Sequence, residues 1–377
     1  MKILYIAMDW FWIKARPQQL AIALSEQHQV DYYCIRGWRG AQQNNYSDQI
    51  KTIDGQLFYN ENLKIIRKRY LPGQSKAVVQ QLNNWLFIHH ELKKLQNENN
   101  YDCVFVTAPP HVTYLPDEIQ NKVPIYYDCM DDYSEFFPNQ ADKQRMLKYE
   151  TELVSLAKHV FASSDYLKQL LLKRNQISDE KILVVQNGVE TKDFQNIVVT
   201  DSTTVIPEAK GYKGVIGYVG TVGSWFDIQS VTDAALQLPE YLFYFAGPQE
   251  VVFENVPDNV LFVGPVPYTK VPNLMASFDV ATMPFLVTDL IKAVNPVKIY
   301  EYLAAGTPVV AVDYPETQKF GNIITNYKFN QAGSFTAAIK AVLATDQNQN
   351  QAKRREYAIE NDWHHRASQM LLVLDKK

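Results

Sequence analysis

The chain has 377 residues, more than one hydrophobic core usually organises, so two domains of ordinary size are expected. With 46% apolar and 21% charged residues it falls among soluble globular proteins rather than disordered or fibrous ones, and a net charge of -4 gives no global basic excess for nucleic acid. Cys34, Cys103 and Cys129 fit no metal-ligand spacing and lie in or beside apolar runs, which reads as reduced core thiols in a cytoplasmic protein.

In chain order, Ile3 to Met8 reads as a buried strand rather than a signal peptide, because Asp9 follows it and no small-residue cleavage site appears. Arg16 to Gln27 reads as a helix with Pro17 in its first turn. Further strands are expected at Val30–Ile35, Asp102–Ala108 and Pro124–Cys129. Between them lie a basic run, Leu63 to Gly73, and a helix from Ser75 to Leu95; the stretch before Leu63 gives no clear periodicity. A long helix starting at Asp142, a strand at Val160–Ser164, a short helix capped by Asp165 and the segment Ile182–Glu190 close the first half.

The polar stretch 195–214 reads as a linker. The same pattern then repeats, with strands expected at Val215–Gly220, Tyr241–Gly247, Asn259–Gly264, Val280–Phe285 and Pro308–Val312 and helices between them. The expected division is a first domain 1–194, the linker, a second domain 215–355 and a C-terminal helix 356–377 that can pack back on the first domain. Strands alternating with helices give an α/β chain of two doubly wound, Rossmann-like domains, whose ligand site is expected in the cleft between them at the carboxyl ends of the strands. No apolar segment approaches the roughly 20 residues needed to span a bilayer, so any membrane contact would be peripheral.

The strongest local device is NPVKIYEYLAAGTPVVAV, Asn295 to Val312. Asn295 can cap a helix, Pro296 and Val297 begin it, and Gly306 ends it. Lys298 and Glu301, three residues apart, share one face near the helix N-terminus. Free N–H groups, the helix dipole and the Lys298 ammonium would suit a diphosphate, and Glu301 could accept from ribose hydroxyls. An exposed i,i+3 salt pair reads as well on spacing alone. Gly217, Gly220 and Gly223, with Thr221 between the last two, follow a strand and permit close backbone approach to a phosphate or sugar. An NAD fingerprint is disfavoured: no acid ends the strand YLFYFAG, and the first strand is followed by no glycine until Gly37.

PVKIYEYLAAGTPVVA resembles the donor-binding signature of GT-B glycosyltransferases, particularly family four, and the resemblance extends to Phe262–Phe285, Asn187–Phe194, Gly217–Ile228 and Tyr127–Phe136. The last two look like segments of bacterial cell-surface polysaccharide transferases. The resemblance implies a GT-B fold whose first domain, 1–194, binds the acceptor and whose second, 215–355, binds the nucleotide sugar, and a hexosyltransferase using a nucleoside-diphosphate sugar, expected to be UDP-linked, with a saccharide or lipid-linked saccharide as acceptor. It implies donor binding through Gly220, Thr221, Gly223, Pro296, Val297, Lys298 and Glu301, without a bound metal or other cofactor. The sequence departs from the family pattern at Ala293, where the first of two spaced glutamates would fall, and at Trp225, Phe226 and Asp227, where Arg and Lys are common; Lys298, helped by Lys292, would then carry the diphosphate.

Asp128 follows the strand PIYY where the family commonly places a His facing the donor sugar. In an inverting transfer Asp128, Asp131, Asp132 or Asp9 would be the general base; in a retaining one the leaving phosphate can take that part. Asp131 and Asp132 read equally as a helix cap. Arg16, Trp10 and Trp12 are expected on the acceptor side, with ordinary packing as the alternative for the aromatic cluster. Lys64, Arg67, Lys68 and Arg69 form either a solvated face or a contact with anionic lipid. The expected location is cytoplasmic, with the inner face of the plasma membrane open. The rival readings are a GT-B nucleotide-sugar epimerase and a non-catalytic, transferase-like partner subunit.

Overall fold

A computed structural model describes residues 1–12, 14–36, 49–73, 76–199, 201–345 and 350–374. The chain divides into two units, Met1–Gln186 with Trp363–Lys377, and Asn187–Asp362. Gly37 and Ser75 lie outside the described residues.

In the first unit the strands are β1 (Lys2–Ile6), β2 (Gln29–Ile35), β3 (Lys51–Ile53), β4 (Gln56–Asn60), β5 (Leu63–Lys68), β6 (Cys103–Val106), β7 (Ile125–Cys129), β8 (His159–Ala162) and β9 (Ile182–Val184). They form one sheet in the order β3-β4-β5-β2-β1-β6-β7-β8-β9. Pairings are parallel except β3 with β4 and β4 with β5. The apolar runs of β6 and β7 are buried along their whole length, as strands covered on both faces require. One face carries an aromatic row in which Tyr5 stacks on Tyr32 and Phe105, and Phe105 on Tyr126, with centroids 5.4 to 5.9 Å apart. The hairpin β3–β4, in the stretch without clear periodicity, turns at Asp54 and Gly55, both at positive φ; this is the Asp-Gly signal of a two-residue turn.

Chain order reverses between β1 and β6, so the loops at their carboxyl ends form the switch point where doubly wound sheets bind ligands. The helix expected from Asp142 begins at Gln140 and is capped by Asn139, and helix Asp165–Asn175 is capped by the Ser164 hydroxyl rather than by Asp165. The three cysteines are buried and free.

In the second unit β10 (Gly214–Val219), β11 (Tyr241–Ala246), β12 (Val260–Gly264), β13 (Val280–Met283), β14 (Val309–Val312) and β15 (Thr325–Tyr327) form a parallel sheet, order β12-β11-β10-β13-β14-β15. Its switch point lies between β10 and β13. Two boundaries differ from the sequence expectation. Residues 195–214 belong to the second unit, because Ile206 and Ala209 are buried in its core and the polar residues around them occupy a short helix and turns. The C-terminal segment is two helices divided between the units. Gln351–Glu360 stays with the second, where Arg354 Nε donates to the Gly306 carbonyl at 2.8 Å, whereas Trp363–Leu374 packs Trp363, Ala367 and Met370 into the first unit's core. Among the described residues no helix is long and apolar enough to cross a membrane.

Candidate active site

In the second unit, helix Val297–Ala305 comes after β13 and the short helix Asp289–Ala293 and leads into β14. Pro296 stands at its N-cap, so Asn295 is not the cap expected from sequence. Asn295 is instead buried: its Oδ1 accepts from the Asn187 backbone N–H at 2.9 Å, its carbonyl from the Asn187 side chain at 2.7 Å, and its Nδ2 donates to Glu316 at 3.0 Å. Among the described residues no side chain caps the helix; the Ile299 N–H bonds to the Pro296 carbonyl at 3.2 Å, and the Val297 and Lys298 N–H groups are left to a ligand or water. Lys298 Nζ lies 2.6 Å from Glu301 Oε2, the ammonium one-third exposed and the carboxylate nearly buried. Lys292 sits on the preceding helix, Asp289–Ala293, in an exposed pair with Asp289 at 3.0 Å.

Tyr302, which the sequence showed only as an apolar position beside Glu301, ties this helix to the glycine turn. Its buried hydroxyl accepts the Val219 N–H at 2.9 Å at the end of β10. The Tyr218 hydroxyl donates to the Thr221 carbonyl at 2.9 Å and closes the turn. Gly247, at φ +147°, packs against it so closely that a Cβ there would lie 2.0 Å from the Gly220 carbonyl oxygen. Beyond Gly223, Asp227 caps helix Ile228–Gln237 by accepting from the Ser230 N–H at 3.1 Å, and Phe226 is in the core. The residues standing where Arg and Lys were expected thus build the turn. Gly220, Thr221, Gly223, Lys298 and Glu301 share the carboxyl-end region of one sheet.

In the first unit the switch point gathers the carboxylates, and two differ from expectation. Asp128 is fully buried; its Oδ1 accepts from Arg16 Nε at 2.8 Å and its Oδ2 from the Tyr5 hydroxyl at 3.0 Å. Arg16 is buried with it and also donates to the Val185 carbonyl at 2.8 Å. This is an interior ion pair, so neither Asp128 as a base nor Arg16 as an acceptor contact is offered by this arrangement. Asp9 pairs with Arg67 at 2.7 Å, and that guanidinium lies 4.5 Å from the centre of the Phe11 ring. Trp10 is buried edge-on against Tyr32, which makes it core; Trp12 is 61% exposed.

Asp131 differs from the other two. It is half-buried, and its carboxylate accepts no hydrogen bond among the described residues. Burial pushes it up to about 6, with the Arg16 charge opposing and Asp132 reinforcing. Asp132 caps the turn Tyr133–Phe136 and is clamped by Arg174 at 2.9 and 2.6 Å; although burial pushes it up, Arg174 and Ser134 hold it below the usual carboxylate range. Nothing local in the sequence announced Arg174, 42 residues away. His111, also missed, stands half-buried on the turn Pro109–Tyr114 after β6. Burial pulls it down to about 4, so the ring is neutral, and its Nδ1 has no hydrogen-bond partner among the described residues. The visible signal was a His two residues after a strand-ending Ala-Pro.

The basic run is corrected as well. β5 is interior to the sheet, Arg67 turns to Asp9, and Lys68 pairs with Glu91 at 2.6 Å; Lys64 is half-buried and Arg69 exposed. The four do not form one outward cationic face.

Residues 18–193 match the model of the family described as Glycosyltransferase Family 4, and residues 213–345 that of Glycosyl transferases group 1. A Bacillus subtilis (strain 168) protein named for teichuronic acid biosynthesis, glycosyltransferase TuaH, is 27% identical over 301 residues, covering 74% of this chain and 75% of that one. Among solved structures, Anabaena Alr3699/HepE in complex with UDP superposes with a TM-score of 0.72 at 15% identity, covering all of both chains. A glycosyltransferase from Rickettsia africae does so with a TM-score of 0.70 at 15% identity, covering 100% of this chain and 98% of that one. The chain belongs to the GT-B glycosyltransferases, family-four-like in its first half and group 1 in its second.

Proposed function

We propose that the enzyme transfers a hexosyl unit from a UDP-sugar to a saccharide or lipid-linked saccharide in bacterial surface polysaccharide synthesis. The observation that carries the donor half is the Lys298–Glu301 pair on an uncapped helix N-terminus, fixed through Tyr302 to the end of β10. In this reading the diphosphate lies on the first N–H groups of that helix and the Lys298 ammonium, and Glu301 accepts from the ribose hydroxyls. Lys298 exchanges part of its contact with Glu301 for phosphate. No metal ion is required. Solved relatives bind UDP and UDP-glucose, and a curated relative is named for teichuronic acid biosynthesis, which supports the donor and the pathway class.

The first unit holds the acceptor. The bond from the anomeric carbon to the diphosphate oxygen breaks, UDP leaves, and the acceptor oxygen bonds to that carbon while its proton passes to Asp131, whose value of about 6 suits a base near neutral pH. The protein acts in the cytoplasm, against the inner face of the plasma membrane. The test of the donor site is UDP titration by calorimetry in buffer containing a chelator. Wild type binds, and Glu301→Ala loses about tenfold or more in affinity, the usual cost of a charge-assisted hydrogen-bond acceptor. Unchanged affinity in the variant would remove the assignment.

A further inference from the structure

A surface helix ordinarily turns its apolar residues inward. From Val78 to Phe87 this protein does the reverse. The segment comprises helix Ala77–Asn83 and most of the π-helical turn Asn84–Ile88, before Ile88 and helix His89–Asn99 return apolar residues to the core. Its inward side is polar. Gln80 donates to the Thr113 hydroxyl at 3.1 Å, Asn84 to the Thr113 carbonyl at 2.9 Å, and Asn83 exchanges hydrogen bonds with the Leu71 backbone at 3.0 Å in both directions.

Its outward side presents Val78, Leu82, Trp85, Leu86 and Phe87, with Val78 and Trp85 about three-quarters exposed at 77% and 74%. The π turn brings three consecutive large apolar residues, Trp85 to Phe87, to the surface together. Exposing this stripe to water is unfavourable, and the fixed polar face prevents the helix from rolling to bury it.

The charge around the stripe identifies what covers it. In a chain of net charge -4, no Asp or Glu occurs between Glu61 and Glu91, while Lys64, Arg67, Lys68, Arg69 and Lys76 do. Arg67 and Lys68 pair with Asp9 and Glu91, and Arg69 and Lys76, the latter directly preceding helix Ala77–Asn83, are exposed. An apolar face with an interfacial Trp and flanking cations fits an anionic bilayer surface, which takes the ring at headgroup depth and attracts the cations.

We infer that the Val78–Phe87 stripe docks the enzyme onto anionic membrane. Thr113, which the buried side of the helix grips, lies in the turn that carries His111 at the carboxyl end of β6. The docking face is thereby joined directly to the acceptor-side loops, an arrangement suited to a lipid-linked acceptor. This last point rests on the proposed function; membrane docking itself does not.

The experiment is sedimentation of the full chain with vesicles of phosphatidylglycerol and phosphatidylcholine in equal parts, against phosphatidylcholine alone. Wild type should sediment with the anionic vesicles. Trp85→Ser combined with Leu86→Ser should lower the partition coefficient by about tenfold or more, because interfacial binding scales with buried apolar area. Lys76→Glu should weaken binding to anionic vesicles only, and salt should mimic it. UDP affinity measured on the same variants shows that they are folded and stays at the wild-type value, which separates this test from that of the donor site. Wild type remaining in the supernatant, equal sedimentation of the double variant, or a wild-type dimer that the double variant dissolves without any vesicle binding would each overturn the inference.

Discussion

Replacing Asp131 by Asn should stabilise the protein while disabling it. The fold raises this carboxyl from 3.8 to about 6, so the native state binds its proton more tightly than the unfolded chain. The carboxylate therefore costs nothing below about pH 4, where both states are protonated, and destabilises progressively as pH rises from about 4 to about 6. Above that the cost is complete. At roughly 1.36 kcal/mol per pH unit the rise corresponds to about 3 kcal/mol, and residual solvent contact reduces it to about 2 to 3 kcal/mol.

Urea denaturation of wild type and Asp131→Asn from pH 5 to pH 8 reads this as a difference that grows with pH and levels off past about pH 6. Glu150, which burial raises to about 7, titrates in both proteins and cancels in the difference. If Asp131 is the base, kcat/KM should fall with pH below about 6 in wild type, and the variant should lose about a hundredfold or more in rate together with that limb. A stability difference that does not vary with pH would refute the burial argument. A variant that keeps both rate and limb would refute the base.

Other perturbations test the frame around the two sites. Arg16→Met leaves the Asp128 charge buried with only the Tyr5 hydroxyl, and should cost about 3 to 5 kcal/mol in urea denaturation; a loss below about 1 kcal/mol would mean that the pair is not structural. Gly247→Ala puts a methyl group against the Gly220 carbonyl at a φ disfavoured for side chains. It should cost about 1 to 3 kcal/mol and weaken UDP binding by moving the turn, so an unchanged Tm and affinity would contradict the close packing.

The elements that could be read from the sequence are those whose signals are local. Fully apolar runs such as Val215–Val219 and Val309–Val312 become strands because both faces are covered, and Gly306, at φ +86°, ends the helix where its missing side chain permits. Lys298 and Glu301 could be paired from a three-residue spacing because helical geometry alone brings them together. The hairpin at Asp54–Gly55 was equally local, but its exposed strands carry little apolar alternation to reveal them.

Which carboxylate is available depended on tertiary structure. Asp9, Asp128, Asp131 and Asp132 look alike in sequence, yet Arg67, Arg16 and Arg174, brought from 58, 112 and 42 residues away, neutralise three of them and leave the Asp131 carboxylate half-buried with no hydrogen bond among the described residues. The same holds for Tyr302 on Val219 and for the reversed polarity of the Val78–Phe87 stripe, which appears only when Thr113 and Leu71 claim the polar side. The family, the strand pattern and the donor-helix motif were therefore legible in the sequence, since short-range spacing encodes them. The availability of Asp131, the interior ion pairs and the exposed face were decided by contacts between distant residues, which no local pattern specifies.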